Sequence, residues 1–273
     1  MNIELIQPEV NVSEIFQTLN NALISNVKPS TFPVAVRLAK KGEELDQRFK
    51  SPGQDLGHRV AVCQGLNIAR TFGWTLKFDS ADHACPLASV AAGHLDPEEF
   101  LQGKVADLYQ DDPDVARRME SVYPRQDMGD IDQIWLSALG RCEYDPDLII
   151  VYGNPAQILI LVHAANYGRG EGVNSSSTGR FGCANWIAGV IKTDECEYMI
   201  PCSGERVFAG TQDHEMSFLI PRSRFQSITE GLEIMRKKGT YRYPVPNMTL
   251  LGEPKLPEKY VKLGKGKETQ TQT

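Results

Sequence analysis

Apolar residues recur at helical spacing near the start of the chain, at Val12, Ile15, Phe16, Leu19, Ala22 and Leu23. The spacing predicts a helix over 11–26, with Ser13 as its cap. Phe32-Pro-Val-Ala-Val-Arg-Leu38 is a short apolar run and reads as a strand. Residues 40–57 are polar and turn-rich and read as a surface loop. Arg59 to Arg70 returns to near-helical spacing, with Cys63 in the first turns. Trp74 to Phe78 alternates, as a half-buried strand does. Asp114 to Tyr123 is an amphipathic helix. Ile131 to Leu139 and Leu148 to Tyr152 are strands, the second apolar enough to be buried. Asn154-Pro155 opens a helix that runs to Asn166 and is closed by Gly168, with Pro in the first turn and Gly after the last. Glu197 to Cys202 and His214 to Pro221 are further strands. Arg224 to Lys238 places Phe225, Ile228, Leu232 and Met235 on one helical face. The pattern predicts an α/β fold, with mixed α+β as its variant. Short strands alternate with helices, and a site lies at the strand-end loops.

One globular domain is expected over 1–263, and 264–273 reads as a disordered tail on composition. Within the domain, 28–140 and 141–246 can be laid side by side as halves of an internal repeat. Val34-Ala-Val-Arg-Leu, a helix ending Ala-Arg-Thr-Phe-Gly73, then Cys85 and Gly93 stand against Leu148-Ile-Ile-Val-Tyr, a helix ending Ala-Ala-Asn-Tyr-Gly168, then Cys183 and Gly189. Identities are few, so chance similarity is the alternative. A real repeat would bring Cys85 and Cys183 together at a shared site.

The chain has 273 residues, 41% hydrophobic and 23% charged, with a net charge of −6. That balance supports a sizeable core and lacks the basic footprint of a nucleic-acid binder. Met1 to Pro8 shows no basic region followed by an apolar run, so no signal peptide is expected. The most apolar segment, Leu148 to Ala165, is interrupted by Gly153, Asn154 and Pro155 and is no membrane span. A soluble, cytoplasmic protein is expected. In that compartment the six cysteines are no disulfide framework, and none forms a C-x-x-C pair.

Two stretches carry the chemistry. Phe181-Gly-Cys-Ala-Asn-Trp-Ile-Ala-Gly189 follows a loop rich in Gly and Ser and has Cys183 at its head. His83-Ala-Cys-Pro-Leu-Ala-Ser-Val-Ala-Ala-Gly93 has Cys85 at its head, with Pro86 suited to the first helical position. A helix start offers free N–H groups and a positive dipole end, both of which favour a thiolate. Arg59, Arg180 and Arg206 stand near cysteines and could hold an anion or offset negative charge; surface ion pairs are the plainer role. Asp213 and Glu215 are acid–base groups or turn acids. Ser175 to Thr178 offer hydroxyl donors, but no phosphate-binding loop, dinucleotide fingerprint or H-E-x-x-H is present.

Arg59-x-x-x-Cys63-Gln, Cys85-Pro, Pro124-Arg, Asp145-Pro-Asp, Gly153-Asn-Pro-Ala-Gln157, Cys183-Ala, Pro201-Cys-Ser-Gly-Glu-Arg206 and Asp213-His-Glu-Met216 together resemble the domain-of-unknown-function family 169. The resemblance runs from about Phe32 to Tyr243. It implies that Cys63, Cys85, Cys183 and Cys202 occupy motif positions and that Cys142 and Cys196 do not. It supplies no activity.

Four thiolates from separated loops suit a [4Fe–4S] cluster or a structural zinc. Small residues beside them, including Gly65, Ala88, Gly182 and Gly204, leave room for a bulky cluster and backbone N–H bonds to its sulfurs. Unconnected buried thiols, or a redox-sensing thiol pair, are the alternatives. The expectation is an iron–sulfur protein doing redox or cluster-assisted chemistry on a small anionic substrate or with a redox partner protein. His83 and Arg206 are the candidate catalytic residues. A non-catalytic binding module with structural cysteines or zinc is the alternative. A homo-oligomer is compatible with either.

Overall fold

The computed structural model describes residues 12–45, 48–177, 179–239, 241–244 and 255–265. The chain divides into two units, 1–243 and 244–273. In chain order the first unit holds α1 (Val12–Asn26), β1 (Val34–Ala39), α2 (Val62–Phe72), β2 (Leu76–Phe78), α3 (Pro86–Ala91), α4 (Glu98–Leu101), α5 (Pro113–Ser121), β3 (Gln133–Ala138) and β4 (Leu148–Gly153). It continues with α6 (Pro155–Asn166), α7 (Gly182–Ala184), a π-helical turn over Asn185–Gly189, α8 (Val190–Thr193), β5 (Glu197–Met199), α9 (Ser203–Ala209), β6 (Met216–Pro221) and α10 (Phe225–Lys238). The second unit holds α11 (Glu258–Lys265). Gly264 and Lys265, at the head of the expected tail, belong to that helix, and 266–273 lie outside the described residues. No helix among the described residues is long and apolar enough to cross a membrane.

The fold is mixed α+β, built on one six-stranded sheet of order β2-β3-β1-β4-β6-β5. Every strand pair in it is antiparallel. β1, β3 and β4 are apolar on both faces because helices cover both sides of the sheet, so their sequences run rather than alternate. Local chemistry fixes the element ends. Asn154 caps α6: its Oδ1 accepts from the Ala156 and Gln157 amides at 3.0 and 3.1 Å, and Gln157 Oε1 accepts from the Asn154 amide at 2.8 Å.

The sheet order is the same from either edge if β1, β2 and β3 are exchanged for β4, β5 and β6. The register obeys the same exchange. Val36 faces Leu136 as Ile150 faces Leu219. Leu76 faces Leu136 as Glu197 faces Leu219. At the centre Val34 faces Ile150, and Val36 faces Leu148. Two isolated parallel bridges match as well: Lys50 pairs with Leu76, and Asn174 with Glu197, while the Val60–His83 bridge belongs to the first half. Antiparallel pairing of equivalent strands is what a twofold axis normal to the sheet requires. That axis passes between Ala35 and Ile149, which face each other.

The equivalence differs from the one read in the sequence. Both α2 and α7–α8 pack in the core cluster on one sheet face, through Val62 and Leu66 and through Trp186 and Ile187. α6 packs on the other face with α1 and α10. So α6 is an insertion in the second half, and the counterpart of α2 is α7. Cys63 is the second residue of α2, and Cys183 is the second of α7. Cys85 caps α3, and Cys202 caps α9. The symmetry therefore pairs Cys63 with Cys183 and Cys85 with Cys202.

Candidate functional site

The first residues of four helices meet on the face of the sheet opposite α1, α6 and α10. Between them lies a cavity of about 250 Å³ lined by Cys63, Cys85, Cys183 and Cys202. Leu87, Val105, Phe181 and Phe208 supply apolar wall, and Arg180, Ser203 and Glu205 supply polar wall. At this face Leu108, Tyr109, Val207 and Phe208 are exposed.

Why the chain folds this way is local. α2 crosses β2 so closely that a Cβ on Gly65 would stand 2.3 Å from the Phe78 ring. Gly65 is thus a packing glycine rather than one that makes room beside Cys63. Gly182 does crowd the site: a Cβ there would lie 3.6 Å from that of Cys202 and 3.4 Å from Glu205 Oε1. Phe181, just before α7, has φ of +59°, a strained backbone for a bulky residue. Its ring is buried, 4.9 Å from Tyr123 and 5.5 Å from Phe100 between centroids. That packing holds the strain and fixes the turn that presents Cys183.

The thiols are not simply activated by their helix starts. Burial first, then the charges of Glu205, Cys202 and Cys85, push the Cys63 thiol well up. Burial and the charge of its cysteine neighbours do the same to Cys183. Burial and Glu205 raise Cys202 too, against backbone N–H groups of Gly182, Glu205 and Gly204 that favour its thiolate. At Cys63, Cys183 and Cys202 desolvation and mutual repulsion outweigh the dipole and favour the neutral thiol.

Glu205 is 1% exposed. Neither carboxylate oxygen has a hydrogen-bond partner; the Tyr152 hydroxyl is near enough to favour the ionised form without completing a bond. Burial pushes its pKa to about 7, against the charges of Arg70 and Arg206. Arg70 is itself committed: its two terminal nitrogens donate to Glu215 at 2.7 and 3.0 Å, and its guanidinium lies 4.1 Å from the centre of the Tyr152 ring. Arg180 lines the cavity and donates to Glu120 Oε1 at 3.1 Å from both terminal nitrogens.

The DUF169 family model, described as uncharacterised ArCR, matches residues 22–231. The chain belongs to the DUF169 family. A protein of Methanocaldococcus jannaschii named "Uncharacterized protein MJ0308" is 26% identical over 212 residues, covering 76% of this chain and 89% of that protein. No solved structure matches the chain.

In this DUF169 chain the other two cysteines lie on the opposite face of the sheet, in the core with α1, α6 and α10. Cys142 is buried rather than in a polar turn and donates to the Tyr144 carbonyl at 3.0 Å. Burial pushes both Cys142 and Cys196 to about 12. His83 and Arg206 do not line the cavity. His83 is buried, with Nε2 3.1 Å from His94 Nδ1, and His94 Nε2 is 3.1 Å from the Ile131 carbonyl. That chain assigns a proton to each Nε2 and leaves His83 Nδ1 a bare acceptor with no partner. Arg206 donates to the Gln212 carbonyl at 2.6 Å and pairs with Asp213 at 3.8 Å. Arg59 is exposed. The serine loop is tied to β5: Ser176 donates to Glu197, and Ser177 accepts from the Ile200 amide at 2.9 Å. Thr178 lies outside the described residues. Among the described residues no three His, Cys, Asp or Glu side chains form a group ready to hold a metal ion.

Sequence reasoning missed Glu205 and the buried Arg70–Glu215 pair. The available signal for Glu205 was its place three residues after Cys202, which puts both side chains on one side of a helix start.

Proposed function

We propose that the four cysteines ligate a [4Fe–4S] cluster, and that the protein does redox or cluster-assisted chemistry in the cytoplasm, where reduced thiols persist. The observation that carries the reading is the lining of one cavity by Cys63, Cys85, Cys183 and Cys202, each at a helix start. Four thiols and a carboxyl in a buried space repel one another once ionised. A cationic metal core removes that repulsion and takes up the thiolates as their protons leave. A single zinc needs its sulfurs about 4 Å apart, from Zn–S of about 2.3 Å. The four cysteines line one space of about 250 Å³, which has room for a larger group. Backbone N–H groups at Cys202 are the donors a cluster sulfur would use.

The wall offers an anionic substrate only Arg180, which Glu120 holds. The exposed apolar residues at this face favour a substrate with an apolar body, or a redox partner protein. A second reading, a binding module with structural cysteines, draws on that same apolar wall. Anaerobic reconstitution with ferrous iron and sulfide separates the two. The cluster reading expects brown protein with four irons and four sulfides per chain. Colourless protein that takes up zinc instead would support the second.

A further inference from the structure

Glu205 lines the cavity and has no acidic counterpart in the first half. Three residues after the capping cysteine, the first half has Ala88 and the second has Glu205. We propose that Glu205 is a metal ligand, the oxygen donor of this centre, acting on the iron held by Cys202. The inference rests on the cluster reading given above.

Three observations converge on it. Glu205 lines the cavity and is 1% exposed, so its carboxylate has left water. Both of its oxygens lack a hydrogen-bond partner, and a buried acceptor without a partner is costly unless something else meets it. Its cationic neighbours are engaged elsewhere: Arg70 is paired with Glu215 and Arg206 with Asp213. Beside the Tyr152 hydroxyl, which completes no hydrogen bond to it, the carboxyl faces the cysteine cavity. The i, i+3 spacing of Cys202 and Glu205 across the first turn of α9 sets thiolate and carboxylate side by side, as a chelating pair. The Glu205 amide also points at the Cys202 sulfur, which fixes the local geometry of the pair. The symmetric pair in the other half, Cys85 and Ala88, has no such donor. The centre would therefore hold three irons with cysteine alone and one with cysteine and carboxylate. That one iron, unlike its neighbours, can exchange an oxygen ligand for a substrate oxygen.

The test is the ⁵⁷Fe Mössbauer spectrum of protein reconstituted anaerobically with ferrous iron and sulfide, for wild type and Glu205→Gln. Iron and sulfide are assayed on the same samples. The expected wild-type spectrum has one iron component in four distinct from the rest. Glu205→Gln keeps the iron and sulfide content and loses that component, and Glu205→Asp restores a distinct component. Four indistinguishable irons in wild type overturn the inference whatever the variants do, and so does an unchanged spectrum in Glu205→Gln. A wild-type chain that takes up no iron or sulfide overturns the cluster reading itself, and this inference with it.

Discussion

Residues Val34 to Ala138 and Leu148 to Pro221 place their strands in the same register and their cysteines at the same helix starts. Their polar chemistry is unequal. Where the first half has Leu38, Ala88 and Val60, the second has Tyr152, Glu205 and Arg180. The symmetric elements build the frame and the thiols, and the second half alone supplies the buried carboxyl and guanidinium at the cavity. The first half has its own specialisation, the His83–His94 pair, set beside the frame rather than in the cavity. A duplicated scaffold thus presents a symmetric set of sulfurs inside an asymmetric pocket.

The largest expected effect comes from breaking the ion pair that crosses between the halves. Arg70 and Glu215 are 3% and 5% exposed. Arg70→Met leaves Glu215 buried and uncompensated, and should cost about 3–5 kcal/mol in urea unfolding. The double variant Arg70→Met/Glu215→Leu should recover most of that loss. If the single variant unfolds like wild type, the pair does not join the halves.

The second effect belongs to the first half alone. His83 is held to about 4, first by burial and then by the charge of His94. With its folded pKa below the ordinary histidine value, the unfolded chain binds more protons at mildly acid pH. Stability is therefore fully present above pH of about 6.5 and is lost as pH falls towards about 4, by on the order of 2–3 kcal/mol. His83→Phe should flatten that part of the stability–pH profile. A profile as steep as wild type would place the acid sensitivity elsewhere.

Gly65→Ala is the smaller test of how closely α2 approaches the sheet. The second half packs its own helix differently, so the demand is local. Added bulk against Phe78 should cost about 1–3 kcal/mol by thermal unfolding. A neutral or stabilising result would mean that the Phe78 ring moves aside freely.

The elements with strong local patterns were legible in the sequence. β4 is an unbroken apolar run, α6 has its Asn154 cap and Gln157 partner, and Pro86 marks the start of α3 after Cys85. α9 was not, because Ser-Gly-Glu-Arg-Val-Phe-Ala has no helical apolar stripe, and Val207 and Phe208 are exposed. The pairing of Cys85 with Cys183 misaligned the halves because α6, a helix after a strand, mimics α2 in order while packing on the other face. Glu205 looked like an ordinary solvated acid on a short helix. Only the tertiary structure removes it from water. The sense of the thiol pKa shifts escaped for the same reason: helix starts are visible in sequence, but the burial and mutual repulsion that outweigh them are not.

The central claim is that Cys63, Cys85, Cys183 and Cys202 act as one centre, made of two symmetric pairs. Its most direct test is iron and sulfide bound per chain after anaerobic reconstitution of six single Cys→Ser variants, measured against wild type. Ser at any of the four cavity positions should lower the bound iron markedly, with matched losses within the Cys63/Cys183 pair. Ser at Cys142 or Cys196, on the other face of the sheet, should leave it at the wild-type value. Equal iron in all six variants, or a loss confined to Cys142 or Cys196, would contradict the account.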